Sequence, residues 1–388
     1  MADDTGQGAQ GVSGRRKKVI VAMSGGVDSS VAAALLLEQG YEVVGVTLNV
    51  WPAGADPGPE RENACCALSA VEDARRVADR LRIPHYTLNF RAVFANTVIA
   101  DFAAEYRRGR TPNPCVRCNE HVKFAALLDR TAGLEADFIA TGHYARIGYD
   151  EHRRRFLLRK ARDRRKDQSY VLYVLTQGLL ARTLMPLGEL TKEETRALAA
   201  SLGLPVARKA ESQEICFVPD DDYGRFLGEH APGAERPGPI LDRAGRVVGR
   251  HRGIANYTIG QRRGLGLPGP TPRYVTGIDA AQNAIVVGAE RDLYHDALIA
   301  EQVNLIAVAA IAAPLRVAAK VRYRAEETPA ALTPLPDGRL HVRFDQPQRA
   351  ITPGQAVVFY DGEIVVGGAT IATAANVPTF ERSNVTTF

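Results

Sequence analysis

The sequence predicts an α/β protein: a domain built on a mostly parallel sheet with helices on both faces, then a small central domain, then a C-terminal β-barrel. Three observations carry this expectation. Between residues 17 and 212, short apolar runs alternate with segments of helical period, the βαβα pattern of a parallel sheet. Beyond about residue 217 the composition shifts toward Gly, Pro and Arg, with turn stretches such as Ala231-Pro232-Gly233 and Gly264 to Pro272, which predicts a small domain over 213–285. From Ala284 onward, short alternating segments are separated by turn signals such as Asp337-Gly338 and Asp361-Gly362, which predicts an all-β domain over 286–388.

Length and composition agree with several cores. The chain has 388 residues, 45% of them hydrophobic, a formal net charge of +5 and a pI near 8.9. That mild basic excess permits a polyanionic partner without demanding one. The cysteines, Cys65, Cys66, Cys115, Cys118 and Cys216, are odd in number and sparse, unlike a secreted disulfide framework. They read as reduced, cytoplasmic and available for chemistry. Residues 1–16 offer little to bury and read as a flexible tail ending in basic residues, with no apolar signal core behind them. No apolar run approaches the length of a membrane span, so no membrane partner is expected.

Taken in order, strands are expected at Val19 to Met23, Val43 to Leu48, His85 to Asn89 and Asp137 to Thr141. Helices are expected at Ser29 to Glu38, Ala67 to Leu81, Arg91 to Tyr106 and Val122 to Thr131, where apolar residues recur every three or four positions. In such sheets ligands bind beyond the carboxyl ends of the strands, where Ser24, Leu48 and Thr141-Gly142-His143 would lie. The turn Ser24-Gly25-Gly26-Val27-Asp28-Ser29-Ser30 joins the first strand to the first helix. Adjacent glycines let backbone N–H groups approach a ligand, and the helix dipole favours an anion there. The plainer alternative is an ordinary turn capped by Asp28 or Ser29.

Between Tyr144 and Gln168 the texture changes. His152 to Lys166 holds nine Lys or Arg against one Asp. Such a run is either a solvated charged hairpin or a contact for a nucleic-acid backbone, and charge alone does not separate the two. From Asp167 to Leu202 the pattern is helical again, with Thr191-Lys192-Glu193-Glu194 forming a capping-box pattern and Gly203-Leu204-Pro205 a stop. A domain boundary is expected near residues 205–216. In the all-β region the strand candidates are Ile285 to Val287, Arg316 to Tyr323, Leu340 to Phe344, Ala356 to Phe359 and Ile364 to Val366.

Two stretches could carry sulfur chemistry. Thr111-Pro112-Asn113-Pro114-Cys115-Val116-Arg117-Cys118-Asn119 places a Cys-x-x-Cys on a proline-stiffened loop ahead of a helix, beside Arg117, where a thiol ionises more readily. Cys216 stands alone at the expected domain boundary, within Glu211 to Phe217. The alternatives are a buried small hydrophobe for Cys216, and a structural zinc site built from Cys65, Cys66, Cys115 and Cys118. Zinc is disfavoured because adjacent cysteines rarely give tetrahedral geometry.

The turn lacks the lysine of a G-x-x-x-x-G-K-[ST] loop, which argues against an ordinary kinase or GTPase. SGGVDSS after a strand resembles the pyrophosphatase (PP) loop of ATP-dependent adenylating enzymes. Together with GRTPNPCVRCNEHVKF, ATGHYAR, RKDQSYVLY, ESQEICFV, NYTIGQRRGLG and ITPGQAVVFY, it makes the chain resemble the bacterial and mitochondrial tRNA-specific 2-thiouridylases (the MnmA/TrmU family), from about residue 18 to about residue 372. The resemblance implies an N-terminal PP-loop domain that adenylates, a small central domain and a C-terminal β-barrel. It implies that Ala22, Met23, Ser24, Gly25, Gly26, Val27, Asp28 and Ser29 bind ATP, that Leu48 meets the adenine and that Gly142 lines the nucleotide site, with Asp28 near the pyrophosphate and its Mg²⁺. Cys118 would be the catalytic nucleophile and Cys216 the carrier of a persulfide sulfur. Asn113, Pro114 and Cys115 would flank the target base, and His143, Lys166, Asp167, Gln168, Arg322, Tyr323 and Gln355 would touch tRNA. In that light the basic hairpin favours nucleic acid.

The implied chemistry is ATP-dependent 2-thiolation of the tRNA wobble uridine, a base that must first be turned out of its stack. The C2 oxygen is adenylated, sulfur passes from a persulfide on Cys216 charged by a sulfur-donor protein, and a Cys118–Cys216 disulfide remains. Many members of the family have Asp where this chain has Cys115. Three thiols, Cys115, Cys118 and Cys216, could instead hold an iron–sulfur cluster with one open iron, which stands as an alternative route to the same product. More distant alternatives are a PP-loop ligase or amidotransferase, and a tRNA-binding or zinc-stabilised module that consumes no ATP.

Overall fold

A computed structural model of the chain describes residues 15–50, 68–210, 217–218, 225–226, 228 and 236–375. Cys65, Cys66 and Cys216 lie outside the described residues, and with them the zinc reading and the persulfide carrier.

The N-terminal part is organised by five parallel strands: β1 (Lys18–Ala22), β2 (Glu42–Asn49), β3 (His85–Asn89), β4 (Phe138–Ala140) and the short strand Thr183–Leu184 described below. They stand in the order β3-β2-β1-β4 followed by that short strand. The order reverses between β1 and β4, so the crevice that binds ligands in such sheets opens beyond the ends of these two strands. Alternation in β1 feeds both faces of the sheet. Ile20 packs into one core with Val116, Val122, Phe124 and Leu127, whereas Val19 and Val21 pack into another with Val27, Val31 and Leu36.

Helix α1 (Val27–Glu38) is apolar nearly all round because it is buried nearly all round, with Ser29, Ser30, Val31, Ala32 and Ala33 all inside. Helix α2 (Leu68–Leu81) has one apolar stripe and sits at the surface. Helix α3 covers 91–107 without a break, and α4 covers 114–130; each contains a π-helical stretch, Ala95–Ile99 in one and Cys118–Ala126 in the other. The apolar spacing predicts α4 only from Val122, with the cysteines on a loop before it. The helix in fact begins at Pro114, with Asn113 as N-cap, its side-chain oxygen accepting from Val116 N. Proline is suited to that first position because its missing N–H would have had no partner there.

The chain then forms a hairpin, β5 (Ala145–Asp150) with β6 (Arg155–Lys160). The stretch expected to be helical from Asp167 to Leu202 is broken into α5 (Ser169–Leu172), α6 (Gln177–Leu180), the edge strand β7 (Thr183–Leu184) and α7 (Lys192–Ser201). The capping box of α7 forms as its sequence predicts, with Glu194 N donating to Thr191 Oγ1 and Thr191 N to Glu194 Oε2.

The central sheet has β8 (Gly238–Leu241), β9 (Val247–His251), β10 (Tyr274–Asp279) and β11 (Ala284–Gly288), in the order β10-β11-β8-β9, around Ile240, Tyr257, Val275 and Ile285. The C-terminal part is a closed antiparallel barrel of β12 (Tyr294–Leu305), β13 (Leu315–Lys320), β14 (Thr328–Pro334), β15 (Leu340–Arg349), β16 (Ala356–Asp361) and β17 (Ile364–Ala375). Pairing of β12 with both β15 and β17 closes it. Strand β16 is apolar on both faces for a reason. Val357 and Phe359 fill the barrel, while Ala356, Val358 and Tyr360 face out into the core shared with α4 and α5. The β5–β6 hairpin is laid against the barrel edge through Ile364 and Arg159.

Candidate active site

The turn after β1 has the geometry of an anion cradle. Gly25 has φ +66, and a Cβ there would stand 2.2 Å from the carbonyl oxygen of Ala70, so only glycine fits. Gly26 is the N-cap of α1 and no side chain caps the helix. The plainer reading, a turn capped by Asp28 or Ser29, is therefore overturned. Ser29 Oγ instead accepts from Ser24 N at 3.1 Å, and Ser30 Oγ donates to Gly26 O at 2.8 Å. The first-turn N–H groups are left for a ligand, at the positive end of a twelve-residue helix.

The end of β4 closes on the same turn. A Cβ on Gly142 would lie 2.6 Å from Ser29 N and 2.7 Å from Asp28 C, so this backbone is pressed against the start of α1. Met23 and Val27 are buried beneath the turn, and Met23 N donates to Val46 O. Ala22 and Leu48 pack from their strand ends onto the core on the α4 side. Of the expected strand-end residues, Gly142 is the one pressed against the turn.

Asp28 is engaged in a way the sequence did not disclose. Its two carboxylate oxygens accept from Lys192 Nζ at 2.7 and 2.8 Å, and Tyr144 Oη donates to one of them at 2.8 Å. The Lys192 side chain is only 8% exposed. Lys192 enters from the first turn of α7, 164 residues from Asp28 along the chain, and Tyr144 follows β4; no local sequence signal marks either for this site. The one signal available was the capping box, which fixes the start of α7 but not what it faces.

The next residue after Gly142 leads to the other face of the sheet. His143 is buried, shares a 2.8 Å hydrogen bond with Thr141 Oγ1, and stacks at 5.8 Å on Phe124 of α4, the helix that carries Cys115 and Cys118. Burial, with Lys123 nearby, holds its pKa down at about 3, so the ring is neutral. This ring does not stand at the surface where a tRNA contact was expected.

Cys115 is exposed and Cys118 half-buried. The Arg117 guanidinium pairs with Glu120 at 2.5 Å and donates to Gln302 Oε1 and Thr370 Oγ1 at 2.7 and 3.1 Å, at a junction with the barrel. At that junction lies a polar cavity of about 80 Å³ lined by Asp101, Asn113, Arg117, Tyr173, Gln302 and Thr370. Burial raises the Asp101 carboxyl, against the pull of Arg117.

Several residues expected to meet tRNA make internal contacts. Gln355 Nε2 donates to the carbonyls of Thr111 and Pro112. Asp167 accepts from Ala161 N and Ser169 Oγ, and Gln168 exchanges hydrogen bonds with the backbone of Tyr144. Tyr323 Oη donates to Asp167 O, and Arg322 donates to Arg349 O. Tyr323, at 39%, is nonetheless exposed, and Lys166 lies in the loop that carries Asp167 and Gln168.

The basic run is paired to a degree its sequence concealed. Arg153 meets Asp150, Arg155 meets the Ile306 carbonyl, Lys160 meets Glu327, Arg162 meets Glu194, Arg164 meets Glu363 and Arg165 meets Glu193. Lys160, 12% exposed, is a fastening to the barrel. Arg162, Arg164 and Arg165 are about half or more exposed, and pairs of that kind hold weakly.

With this geometry in hand, the relatives are informative. Family profiles described as the tRNA methyl transferase HUP domain, the tRNA methyl transferase PRC-barrel domain and the aminomethyltransferase beta-barrel domain match residues 17–220, 224–289 and 295–371. The tRNA-specific 2-thiouridylase MnmA of Pelotomaculum thermopropionicum is 57% identical over 361 residues, 93% of this chain and 99% of that one. Those of Symbiobacterium thermophilum and Moorella thermoacetica are both 55% identical, covering 93% and 92% of this chain and 93% and 100% of theirs. The chain belongs to the tRNA-specific 2-thiouridylase (MnmA) family. The HUP, PRC-barrel and β-barrel profiles of this family fall on the parallel sheet, the central sheet and the closed barrel respectively. Among the described residues no group of three His, Cys, Asp or Glu could hold a metal ion, and no helix is long and apolar enough to cross a membrane.

Proposed function

We propose that this protein is a tRNA-uridine 2-sulfurtransferase that uses ATP to convert the wobble uridine of tRNA to 2-thiouridine. The observation that carries the reading is the full-length match to a 2-thiouridylase, 57% identical over 93% of the chain.

The C2 oxygen of uracil is a poor leaving group, so it is first made into an AMP ester with loss of pyrophosphate. Gly25, Gly26 and the open first turn of α1 receive the phosphates, and the glycine at 142 lets the nucleotide approach from the β4 side. Asp28 is the one carboxylate at this turn, which suits Mg²⁺ carried in on phosphates rather than caged by protein. Bound there, Mg²⁺ would offset the charge of the leaving pyrophosphate.

Sulfur arrives as a persulfide on Cys216, charged by a donor protein. Its terminal sulfur attacks C2, the C2–O bond breaks and AMP departs with the former uridine oxygen. Cys118 then attacks the remaining sulfur of Cys216, so that the S–S bond is exchanged for a Cys118–Cys216 disulfide, which a cellular thiol reduces. This thiol economy belongs in the reducing cytoplasm. Asn113, Pro114 and Cys115, at the start of α4 where the Cys115 side chain is exposed, would flank the everted base. Arg162, Arg164, Lys166 and Tyr323 would meet the RNA backbone, the exposed ion pairs exchanging glutamate for phosphate.

One observation favours a second route to the same product. Cys115 and Cys118 stand three positions apart at the head of one helix, so both thiols share a face, and with Cys216 they could ligate an iron–sulfur cluster. The test of the function is incubation with ATP, a persulfide or sulfide source and unmodified tRNA. Formation of 2-thiouridine by the wild type and its loss in Cys118→Ser support the reading. ATP consumption with no sulfur in the RNA would point to the ligase class.

A further inference from the structure

We propose that Lys192 is the cation of the phosphate site, holding Asp28 in the nucleotide-free enzyme and passing to the polyphosphate when ATP binds. The inference rests on the reading of Ser24 to Ser30 as the ATP loop.

The SGGVDSS turn has no lysine of its own, yet the structure brings one to it. Lys192 Nζ sits 2.7 and 2.8 Å from the two oxygens of Asp28, in the first turn of the helix whose N–H groups face the ligand. Helix stability does not explain a lysine here. A cation in the first turn of α7 opposes the helix dipole, and burying its ammonium to 8% exposure costs solvation that a surface residue would avoid.

The surroundings hold it in place nonetheless. Lys192 N donates to Asp163 Oδ2 at 3.1 Å, and the Thr191–Glu194 capping box fixes the turn. Arg162 pairs with Glu194 and Arg165 with Glu193, so the residues that place Lys192 include the exposed arginines of the basic loop. Lys192 also lies over the ring of Tyr144, whose hydroxyl donates to Asp28. A buried ammonium fixed at a phosphate loop and paired with the Asp28 carboxylate is arranged to exchange that carboxylate for phosphate oxygens. The same exchange frees an oxygen of Asp28 toward a divalent ion.

The test compares ATP with AMP binding by calorimetry in the wild type, Lys192→Met and Lys192→Arg, using full-length protein and magnesium. Lys192→Met should weaken ATP by about 10- to 100-fold while AMP changes by less than about threefold, and Lys192→Arg should recover most of the loss. Equal weakening of ATP and AMP in folded Lys192→Met would overturn the proposal in favour of a purely structural ion pair. ATP binding unchanged by Lys192→Met would overturn it outright. If the lone Asp28 charge unfolds that variant, Asp28→Asn/Lys192→Met is compared with Asp28→Asn, which isolates the lysine with no uncompensated charge. A wild type that binds no ATP sinks the ATP-loop reading itself, and the proposal with it. A wild type that binds ATP through a lysine-independent site sinks the proposal alone.

Discussion

Gln355 of the barrel donates its side-chain amide to the backbone carbonyl of Thr111 at 2.9 Å, and to that of Pro112 at 3.2 Å. Thr111 N in turn donates to Pro353 O at 2.9 Å. The loop that starts the cysteine helix is thus held by the C-terminal barrel, and the position of Cys115 and Cys118 depends on a domain more than two hundred residues away.

Gln355→Ala should therefore slow sulfur transfer about tenfold while leaving ATP affinity within about twofold, because it frees a loop and touches no phosphate. Single-turnover thiolation at saturating tRNA checks this. A variant impaired only in tRNA affinity would instead make Gln355 an RNA contact.

Gly142→Ala should raise the KM for ATP about tenfold or more, since its Cβ would lie 2.6 Å from Ser29 N and push the β4 end off the phosphate turn. Gly178→Ala is the control. Nothing lies within 4 Å of a Cβ there, and alanine in that helical turn should leave KM unchanged.

His143 makes stability depend on pH. Its folded pKa of about 3 lies below the ordinary 6.5, so as pH falls the unfolded chain takes up the proton first. Its contribution is complete above about pH 6.5 and drains by about 1.4 kcal/mol per pH unit down to about pH 3. Denaturant titrations between pH 7 and 5 should show a slope that His143→Gln flattens. The thiolation rate should show no inflection from this ring near neutrality.

Cys115→Asp separates the two sulfur routes. A persulfide relay through Cys118 and Cys216 should retain at least about a tenth of wild-type activity, because the thiolates of the relay are intact. A three-thiolate cluster should lose its iron and its activity together. Iron and acid-labile sulfide after anaerobic purification are measured beside the rate.

The sheet and its crevice were legible because their signals are local. The run Val19–Met23, the glycine turn behind it and the strand before Thr141 each declare themselves within a few residues, and the sheet order then places them together. What escaped depends on distant partners. Pro112-Asn113-Pro114 reads as a loop, yet Asn113 and Pro114 are an N-cap and a first helical residue, so α4 starts eight residues before Val122. Lys192 gives no sign of its target because Asp28 is 164 residues away. Arg164 and Lys160 of the basic run look free until Glu363 and Glu327 arrive from the barrel to pair with them.

The central claim is that the uridine C2 oxygen is activated by AMP and then replaced by sulfur. The most direct test uses tRNA carrying ¹⁸O at C2 of the wobble uridine, with ATP and a persulfide donor, and mass analysis of the products. The label should appear in AMP in proportion to the 2-thiouridine formed. Label retained in the thiolated tRNA, or released to water while AMP stays unlabelled, would contradict the account.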